Sequence, residues 1–234
     1  MCIKAIFFDM DGTLVHVPIS STQFLMNIYQ ELGLNFSLEQ IAVAREKAEK
    51  WWNWKFSDYT LRNHEAFVEY NCKLLAALGA KGDLQRLAEK AQSHWENFPE
   101  EADEKLYPEV GSVLETLREE RITLAVLSNR LIDSSLKSLK KHGIRGYFQS
   151  VIGPRIAGAP KGKLSLEMWR YALKRVGATP NEVFHIDNDY ETGIMGAREA
   201  GIRPILLDRK DTYTSIIDCT IIHDLTEILE LLGI

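Results

Sequence analysis

Two aspartates near the N-terminus, Asp9 and Asp11, are the residues whose types and spacing indicate chemistry most clearly. They follow the mostly apolar segment 3–8, which is typical of a strand that is buried on both faces of a parallel sheet. Gly12 comes next and suits a sharp turn of the backbone. Carboxylates at the C-terminal end of such a strand lie where open α/β sheets bind their ligands. Because neighbouring anions repel each other, the pair predicts a bound cation, and a purely oxygen ligand set favours Mg²⁺.

Residues 9–14, DMDGTL, resemble the first motif of the haloacid dehalogenase superfamily, Asp-x-Asp-Gly-Thr-Leu/Val, with every position present. The resemblance implies that Asp9 is a nucleophile that becomes phosphorylated and that Asp11 is a general acid and base. It also implies that Thr13 contributes to substrate binding. An isolated motif of this kind more often caps a turn, so the interpretation depends on the later motifs.

A second group of polar residues follows the apolar segment 122–127, which predicts another strand. This strand ends in Ser128 and Asn129, whose hydroxyl and amide groups can donate hydrogen bonds to phosphate oxygens without adding charge. The second motif of the superfamily is a Ser or Thr at this strand end, often followed by Asn. By resemblance, both residues are therefore expected to bind the substrate.

The third motif of the superfamily is a lysine ahead of a helix, and two lysines compete for that role here. Lys163 keeps the usual spacing to an aromatic residue, here Trp169, and the resemblance implies a catalytic role for it. Lys161 remains the alternative, with an expected contact to the substrate, because the prolines that usually follow the lysine are missing. In either case a cation beside Asp9 offsets the repulsion between its carboxylate and the phosphate.

The fourth motif departs from the usual pattern, Gly-Asp-x-x-x-Asn-Asp or a close variant. A gapless alignment puts the usual metal-binding Asp at Asn188, the second Asp at Gly193 and the usual Gly at Asp187. Relatives similar to sugar phosphomutases carry an acid immediately before the metal-binding Asp, so Asp187 is expected to face the ion. Asn188 can still offer a neutral carbonyl oxygen, and Asp189 is a less favoured replacement. The alternative is that residues 187–189 only cap the next helix. The resemblance implies a Mg²⁺ site formed by Asp9, Asp11, Asp187 and Asn188.

The chain of 234 residues is long enough for a large core and for more than one domain. From about residue 21 to about residue 98 the apolar residues recur with helical spacing, which predicts an inserted α-helical bundle cap over residues 18–98. Strands and helices alternate from residue 107 onward, with strands expected at 122–127, 151–152, 183–186, 204–207 and 219–222. This alternation predicts an α/β fold with a doubly wound parallel sheet, whose core domain comprises residues 1–17 and 99–234. The resemblance likewise implies a Rossmann-like core with a helical cap.

The composition argues against several classes of function. A formal net charge of -5 is unfavourable for general binding to nucleic acids or anionic membranes. No apolar segment approaches the ~20 residues that span a bilayer, and the N-terminus enters the first strand without a signal sequence. Cys2, Cys72 and Cys219 form no Cys-x-x-Cys pair and are expected to be buried thiols in a reducing cytosol. We therefore expect a cytoplasmic protein with a small phosphorylated substrate and no nucleic-acid or membrane partner.

Taken together, the motifs predict a Mg²⁺-dependent phosphomonoester hydrolase that acts through an aspartyl-phosphate on Asp9. Three alternatives stay open. A 2-haloacid dehalogenase shares the nucleophile and needs no metal, but such enzymes usually lack the acid at the position of Asp11. A phosphosugar mutase keeps both aspartates and transfers the phosphate instead of releasing it. A non-catalytic binding protein of the same fold would explain the altered fourth motif, although the intact first motif argues against it.

Overall fold

The structure of the protein is a computed structural model that describes residues 3–213 and 218–234. The chain forms two compact units, one from Met1–His16 and Lys105–Ile234 and the other from Val17–Glu104. The second boundary lies beyond the one that the sequence suggested at residues 98 and 99, because the short helix Phe98–Glu101 belongs to the second unit.

The first unit contains a six-stranded sheet in which every neighbouring pair is parallel. Its strand order is β5-β4-β1-β6-β7-β8, so β1 lies between β4 and β6, while β2 and β3 form a separate antiparallel pair. The α/β class with a parallel sheet is thereby confirmed. The strands are β1 (Ala5–Phe8), β2 (Val15–His16), β3 (Lys105–Leu106), β4 (Thr123–Leu127), β5 (Phe148–Ile152), β6 (Val183–Asp187), β7 (Arg203–Leu207) and β8 (Thr220–Ile222).

The helices of both units follow from the spacing of apolar residues and from their end caps. In the second unit, Ser37 and Gln40 form a reciprocal capping box at the start of α2, as their spacing predicts. The helices of that unit are α1 (Ser21–Glu31), α2 (Leu38–Lys55), α3 (His64–Ala77), α4 (Leu84–Glu96) and α5 (Phe98–Glu101). Those of the first unit are α6 (Val110–Glu119), α7 (Ile132–Lys141), α8 (Pro154–Ala157), α9 (Leu166–Val176), α10 (Met195–Glu199) and α11 (Glu227–Leu232).

The central strand β1 is buried on both faces because its side chains alternate between two apolar clusters. Ile6 and Phe8 join the cluster that includes residues of α6, α7 and α11. Ala5 and Phe7 join the opposite cluster, which includes residues of α9 and α10. Helices therefore cover both faces of the sheet, which is the doubly wound arrangement that the sequence predicts.

Two expectations from the composition can be compared with the structure. In the described ranges 3–213 and 218–234, no helix is long and apolar enough to cross a membrane. Cys72 and Cys219 are free thiols that are only half-buried, so the expected full burial is wrong for these two; Cys2 lies outside the described residues.

Candidate active site

The C-terminal ends of three adjacent strands, β4, β1 and β6, bring the polar motifs together. Asp9 directly follows β1, Ser128 directly follows β4, and Asp187 is the last residue of β6. The Asp9 N–H donates to the carbonyl of Ile186 at 3.0 Å, and the Ser128 N–H donates to the carbonyl of Ile152 at 3.1 Å. Strands β4 and β5 lie on one side of β1, and strands β6, β7 and β8 lie on the other. The C-terminal ends of β1 and its two neighbours therefore form the topological switch point at which doubly wound sheets bind ligands.

Lys163 supplies the cation of this cluster. Its side chain is only 3% exposed, and its Nζ donates to Asp9 Oδ1 and, at 2.5 Å, to Asp187 Oδ2. Lys161, the alternative that the sequence left open, has an exposed side chain, and its backbone N–H donates to Ser165 Oγ at 2.8 Å. Of the two lysines, the structure thus brings Lys163 against the proposed nucleophile.

The loop that carries Lys163 is fixed by hydrogen bonds on both sides of this residue. Asn129 Oδ1 accepts from the Lys163 N–H at 3.0 Å, and Trp169 Nε1 donates to the Lys163 carbonyl at 2.8 Å. A Cβ at Gly162 would lie 2.2 Å from Asn129 Oδ1, and one at Gly196 would lie 2.0 Å from the Lys163 oxygen. Asn129, predicted to bind substrate, is therefore engaged through its carbonyl oxygen in positioning the lysine.

Asp187 is completely buried, and both of its carboxylate oxygens already have partners. Oδ2 accepts from Lys163 and, at 2.9 Å, from His185 Nε2, while Oδ1 accepts from the Asp189 N–H at 2.9 Å. Desolvation alone would raise the pKa of Asp187, but the charge of Lys163 and the hydrogen bond from His185 outweigh it and hold the pKa at about 2. This differs from the expectation that Asp187 faces a metal ion: in the structure it faces a lysine.

His185 completes this buried group, and its protonation state follows from its surroundings. Burial lowers the pKa of His185, so the imidazole is neutral near pH 7. A neutral ring that donates to Asp187 must carry its proton on Nε2, which assigns the tautomer by hydrogen-bond logic. No sequence motif marks His185, so its place beside Asp187 becomes visible only in the folded structure.

The electrostatics of Asp9 are set by burial and by three charged neighbours. Burial raises the pKa of Asp9 to about 7, Lys163 opposes the rise, and the negative charges of Asp187 and Asp11 add to it. Burial also disfavours the charged form of Lys163, but Asp187 and Asp9 outweigh that effect and raise its pKa. When both buried carboxylates are ionised, one lysine therefore balances two negative charges.

Asp11 has a different environment from Asp9, although it is only two residues away. Its side chain is 62% exposed, and its Oδ1 lies 3.3 Å from Arg130 Nη1. The Arg130 N–H donates to Ser128 Oγ at 3.2 Å, so this oxygen is fixed while its own hydroxyl proton can point elsewhere. A solvent-accessible carboxylate beside a buried one suits proton exchange with a leaving group and with water.

Asn188 joins the fourth motif to the turn after β1. The Thr13 hydroxyl donates to Asn188 Oδ1 at 3.3 Å, and Thr13 is completely buried. The structure thus places this hydroxyl against Asn188, and its contribution to substrate binding stays a prediction. Gly12 has φ +81°, and a Cβ there would lie 2.6 Å from Asn188 Nδ2. Asp189 accepts from the Thr192 N–H and hydroxyl, so it caps the following turn instead of facing the cluster.

The oxygen donors at this edge fit a divalent cation that is shared with a phosphate group. Asp9 offers the carboxylate oxygen that does not contact Lys163, and Asn188 offers an amide oxygen with a long hydrogen bond, 3.3 Å, from the neutral Thr13 hydroxyl. Both oxygens of Asp187 are held more closely, by Lys163, His185 and the Asp189 N–H. Within residues 3–213 and 218–234 there is no group of three or more His, Cys, Asp or Glu side chains that could hold a metal alone. Mg²⁺ often binds one or two carboxylates and completes its shell with water and substrate phosphates. Asp9 and Asn188 are therefore the residues that would hold it, and the predicted contribution of the exposed Asp11 carboxylate stays a prediction.

A further residue, Arg209, fixes the catalytic turn and was not found from the sequence. Its Nη2 donates to the Thr13 carbonyl at 3.0 Å and also contacts Glu109. Its guanidinium group lies 3.6 Å from the ring centre of Tyr107, within the range of a cation–π interaction. The only available signal was its position two residues after a strand end, which is too common to single it out.

Two phosphatases resemble this chain in sequence, and a solved hydrolase structure resembles it in fold. The chain is 25% identical over 209 residues to ribulose-1,5-bisphosphate 5-phosphatase from Halopiger xanaduensis, with 87% of this chain and 84% of that protein covered. It is 24% identical over 238 residues to glyceraldehyde 3-phosphate phosphatase from Methanothermobacter thermautotrophicus, with 98% and 100% covered. The solved structure of the magnesium-bound HAD-hydrolase YfnB from Bacillus subtilis has the same fold, with a TM-score of 0.74, 18% identity and full coverage of both chains.

Most of the chain also matches the sequence model of one protein family. The model for haloacid dehalogenase-like hydrolases matches residues 3–201, which include the turn after β1, the end of β4, the Lys163 loop and the end of β6. This match confirms the resemblance that the motifs indicate. The chain belongs to the haloacid dehalogenase-like hydrolases.

Proposed function

We propose that this hydrolase cleaves phosphomonoesters through an aspartyl-phosphate on Asp9, with the assistance of Mg²⁺. The observation that carries the proposal is the arrangement of the two aspartates after β1. Asp9 is buried and in contact with the Lys163 ammonium group, whereas Asp11 is exposed. A nucleophile held by a cation next to an accessible proton donor is what transfer of a phosphoryl group to a carboxylate requires.

The reaction divides into two steps with opposite proton transfers. An Asp9 carboxylate oxygen attacks phosphorus, the bond from phosphorus to the leaving oxygen breaks, and Asp11 gives its proton to the departing alkoxide. A water molecule then attacks the same phosphorus, Asp11 takes the proton of that water, and the carboxylate of Asp9 leaves with the electron pair of its bond to phosphorus. The Lys163 ammonium and the Ser128 hydroxyl donate hydrogen bonds to the phosphoryl oxygens.

Bound Mg²⁺ would add positive charge to the cluster of Asp9, Asp187 and Lys163. With Asp9 and Asp187 ionised and Lys163 protonated, the cluster has a net charge of about -1, which repels a phosphate dianion. Bound Mg²⁺ supplies electrostatic stabilisation of the phosphoryl oxygens. Asp9 and Asn188 are the donors on which this part of the proposal depends.

The substrate class that we propose is a small phosphorylated metabolite. The two relatives named above are a ribulose-1,5-bisphosphate 5-phosphatase and a glyceraldehyde 3-phosphate phosphatase, so phosphorylated sugars are the first compounds to test. No nucleic-acid or membrane partner is part of the proposal, because the net charge of -5 does not favour either surface.

The test is release of inorganic phosphate by the purified protein from p-nitrophenyl phosphate and a panel of sugar phosphates. Each assay is run with Mg²⁺ and with a chelator, and Asp9→Asn is the matched control for contaminating phosphatases. We expect release that requires Mg²⁺ and Asp9, and a phosphorylated Asp9 in acid-quenched protein by mass spectrometry. Absence of phosphate release refutes the proposal. Halide release from 2-haloacids would assign a dehalogenase, and isomerisation of a phosphosugar without net phosphate release would assign a mutase.

A further inference from the structure

We propose that Asp187, held in place by His185, is a positioning residue for Lys163, and that its carboxylate occupies the space that a side chain at position 193 would otherwise fill. The catalytic part of this inference rests on the proposed function, whereas the structural part does not. It assigns to Asp187 a role that differs from metal binding and gives His185 a place in the site.

The first observation is that the contacts of Asp187 leave it a single orientation. The side chain is 0% exposed, and each oxygen is held: Oδ2 by Lys163 Nζ at 2.5 Å and by His185 Nε2 at 2.9 Å, Oδ1 by the Asp189 N–H at 2.9 Å. Lys163 in turn contacts Asp9 through the same ammonium group. Asp187 therefore determines where the ammonium lies relative to the nucleophile without touching the substrate itself.

The second observation concerns Gly193, on the far side of the same carboxylate. A Cβ at Gly193 would lie 2.0 Å from Asp187 Oδ2 and 2.1 Å from its Cγ, which is far closer than atoms in contact can approach. The backbone of Gly193 does not have a positive φ, so backbone strain does not oppose a larger residue there, whereas the overlap with Asp187 does. A side chain at 193 and the carboxylate of Asp187 are thus mutually exclusive occupants of one space.

The local backbone explains how a residue six positions away reaches this space. Residues Tyr190–Ile194 form a single π-helical turn before α10, and the N–H groups of Gly193 and Ile194 both donate to the Asp189 carbonyl. This turn brings the Cα of Gly193 against the end of β6. A carboxylate can therefore reach Lys163 either from the strand, as here, or from the turn.

His185 is the second side chain that holds the Asp187 carboxylate. Its ring is 0% exposed, lies edge-on to Trp169 with ring centres 4.7 Å apart, and donates through Nε2 to the Asp187 oxygen that also binds Lys163. Trp169 also holds the carbonyl of Lys163. The histidine and the lysine therefore fix one carboxylate oxygen from two sides.

The first experiment is a cycle of four proteins: wild type, Asp187→Gly, Gly193→Asp and the double variant. Thermal unfolding without substrate or metal should show a lower stability for each single variant. Asp187→Gly removes the partner of Lys163, and Gly193→Asp introduces an overlap with Asp187. The double variant should be more stable than the sum of the two losses allows, because the carboxylate is moved and not removed. Additive losses overturn the structural part. If Gly193→Asp does not fold, folding of the double variant is itself the recovery.

The second experiment measures the catalytic part with p-nitrophenyl phosphate. Asp187→Gly should lower kcat by about 100-fold with little change in KM, as expected when a donor to the transition state is misplaced, and the double variant should recover at least tenfold. His185→Gln, which keeps an N–H donor, should retain kcat, whereas the matched His185→Leu should lower it. A wild-type kcat in Asp187→Gly, or equal effects of Gln and Leu, overturns the positioning role. Recovery of stability in a cycle whose wild type releases no phosphate refutes only the proposed function.

Discussion

Replacing Asp9 by Asn should abolish turnover and at the same time make the folded protein more stable. The two carboxylates that share Lys163 are not equivalent: burial raises the pKa of Asp9 to about 7, whereas the pKa of Asp187 is held at about 2. The isosteric change Asp9→Asn removes a negative charge whose burial destabilises the folded state. The same change at Asp187 removes the charge that the fold stabilises, so the two variants should have opposite effects on the free energy of unfolding.

The magnitude follows from linkage between protonation and folding. The pKa of Asp9 rises from 3.8 to about 7, so above pH 7 its ionisation destabilises the folded state by roughly 4 kcal/mol relative to the unfolded chain. The stability that Asp9 contributes is present below about pH 4 and is lost as the pH rises through 7. The gain from Asp9→Asn should therefore fall to roughly 2 kcal/mol at pH 5, where the folded carboxyl group is mostly protonated.

Asp187 has the opposite sign. Its pKa falls from 3.8 to about 2, so its ionised form stabilises the protein by roughly 2 kcal/mol above about pH 4, and this contribution is lost as the pH falls through 2. Asp187→Asn should therefore lower the free energy of unfolding by about that amount near neutral pH. Asp11→Asn is the matched control, because its side chain is 62% exposed and should change stability little.

The assay is urea denaturation of the four proteins at pH 8 and at pH 5 in the presence of a chelator, with circular dichroism as the probe and phosphate release as the activity check. The expected order of stability at pH 8 is Asp9→Asn, then wild type and Asp11→Asn, then Asp187→Asn. The reasoning fails if Asp9→Asn is no more stable than wild type at pH 8, or if its gain does not shrink at pH 5. Substantial phosphate release by Asp9→Asn would refute its role as nucleophile.

Three further predictions concern the neighbours of this pair. Asp11→Ala should slow the phosphorylation step by about 10²–10⁴-fold for alkyl phosphates and less for aryl phosphates, which need little protonation; equal losses in single-turnover kinetics would contradict a general acid. Lys163→Ala should lower the free energy of unfolding by about 3–5 kcal/mol, since it leaves two buried carboxylates without the cation that they share, whereas the exposed Lys161 should tolerate the same change in denaturant titrations. Asn188→Asp should lower the Mg²⁺ concentration needed for half-maximal activity, and a higher requirement would exclude Asn188 as a donor.

The fold could be predicted from the sequence because each of its elements carries a local signal. The apolar strand before Asp9, the alternation after residue 107 and the capping box at Ser37 all depend on spacing along the chain, which the structure reproduces. Strand β5 was predicted as only two residues, 151–152, because Gln149 and Ser150 are polar. It extends from Phe148 to Ile152 because Phe148 and the residues 150–152 pair with the buried strand β4, with a shift of register at Gln149.

The contacts within the site could be predicted only in part, since they depend on distances across the sheet. The π-helical turn that places Gly193 beside Asp187 has no signature in the spacing of apolar residues. For the same reason the sequence could not tell whether Asp187 faces an ion or a lysine. The choice between Lys161 and Lys163 likewise depends on which side chain is buried. That burial is set by the packing of the lysine loop against Trp169 and by the close approaches at Gly162 and Gly196.

The charges of the cluster explain why substrate and cation would bind together and not in isolation. A phosphate dianion that arrives alone meets a net charge of about -1, from Asp9, Asp187 and Lys163, and is repelled. A cation that arrives alone finds the Asp9 carboxylate, already in contact with Lys163, the exposed carboxylate of Asp11 and the neutral oxygen of Asn188. When both arrive, the phosphate supplies the oxygens that the ion lacks, and the ion supplies the positive charge that the phosphate needs. We therefore expect the amide at 188 to make Mg²⁺ bind more tightly to the complex with phosphate than to the protein alone.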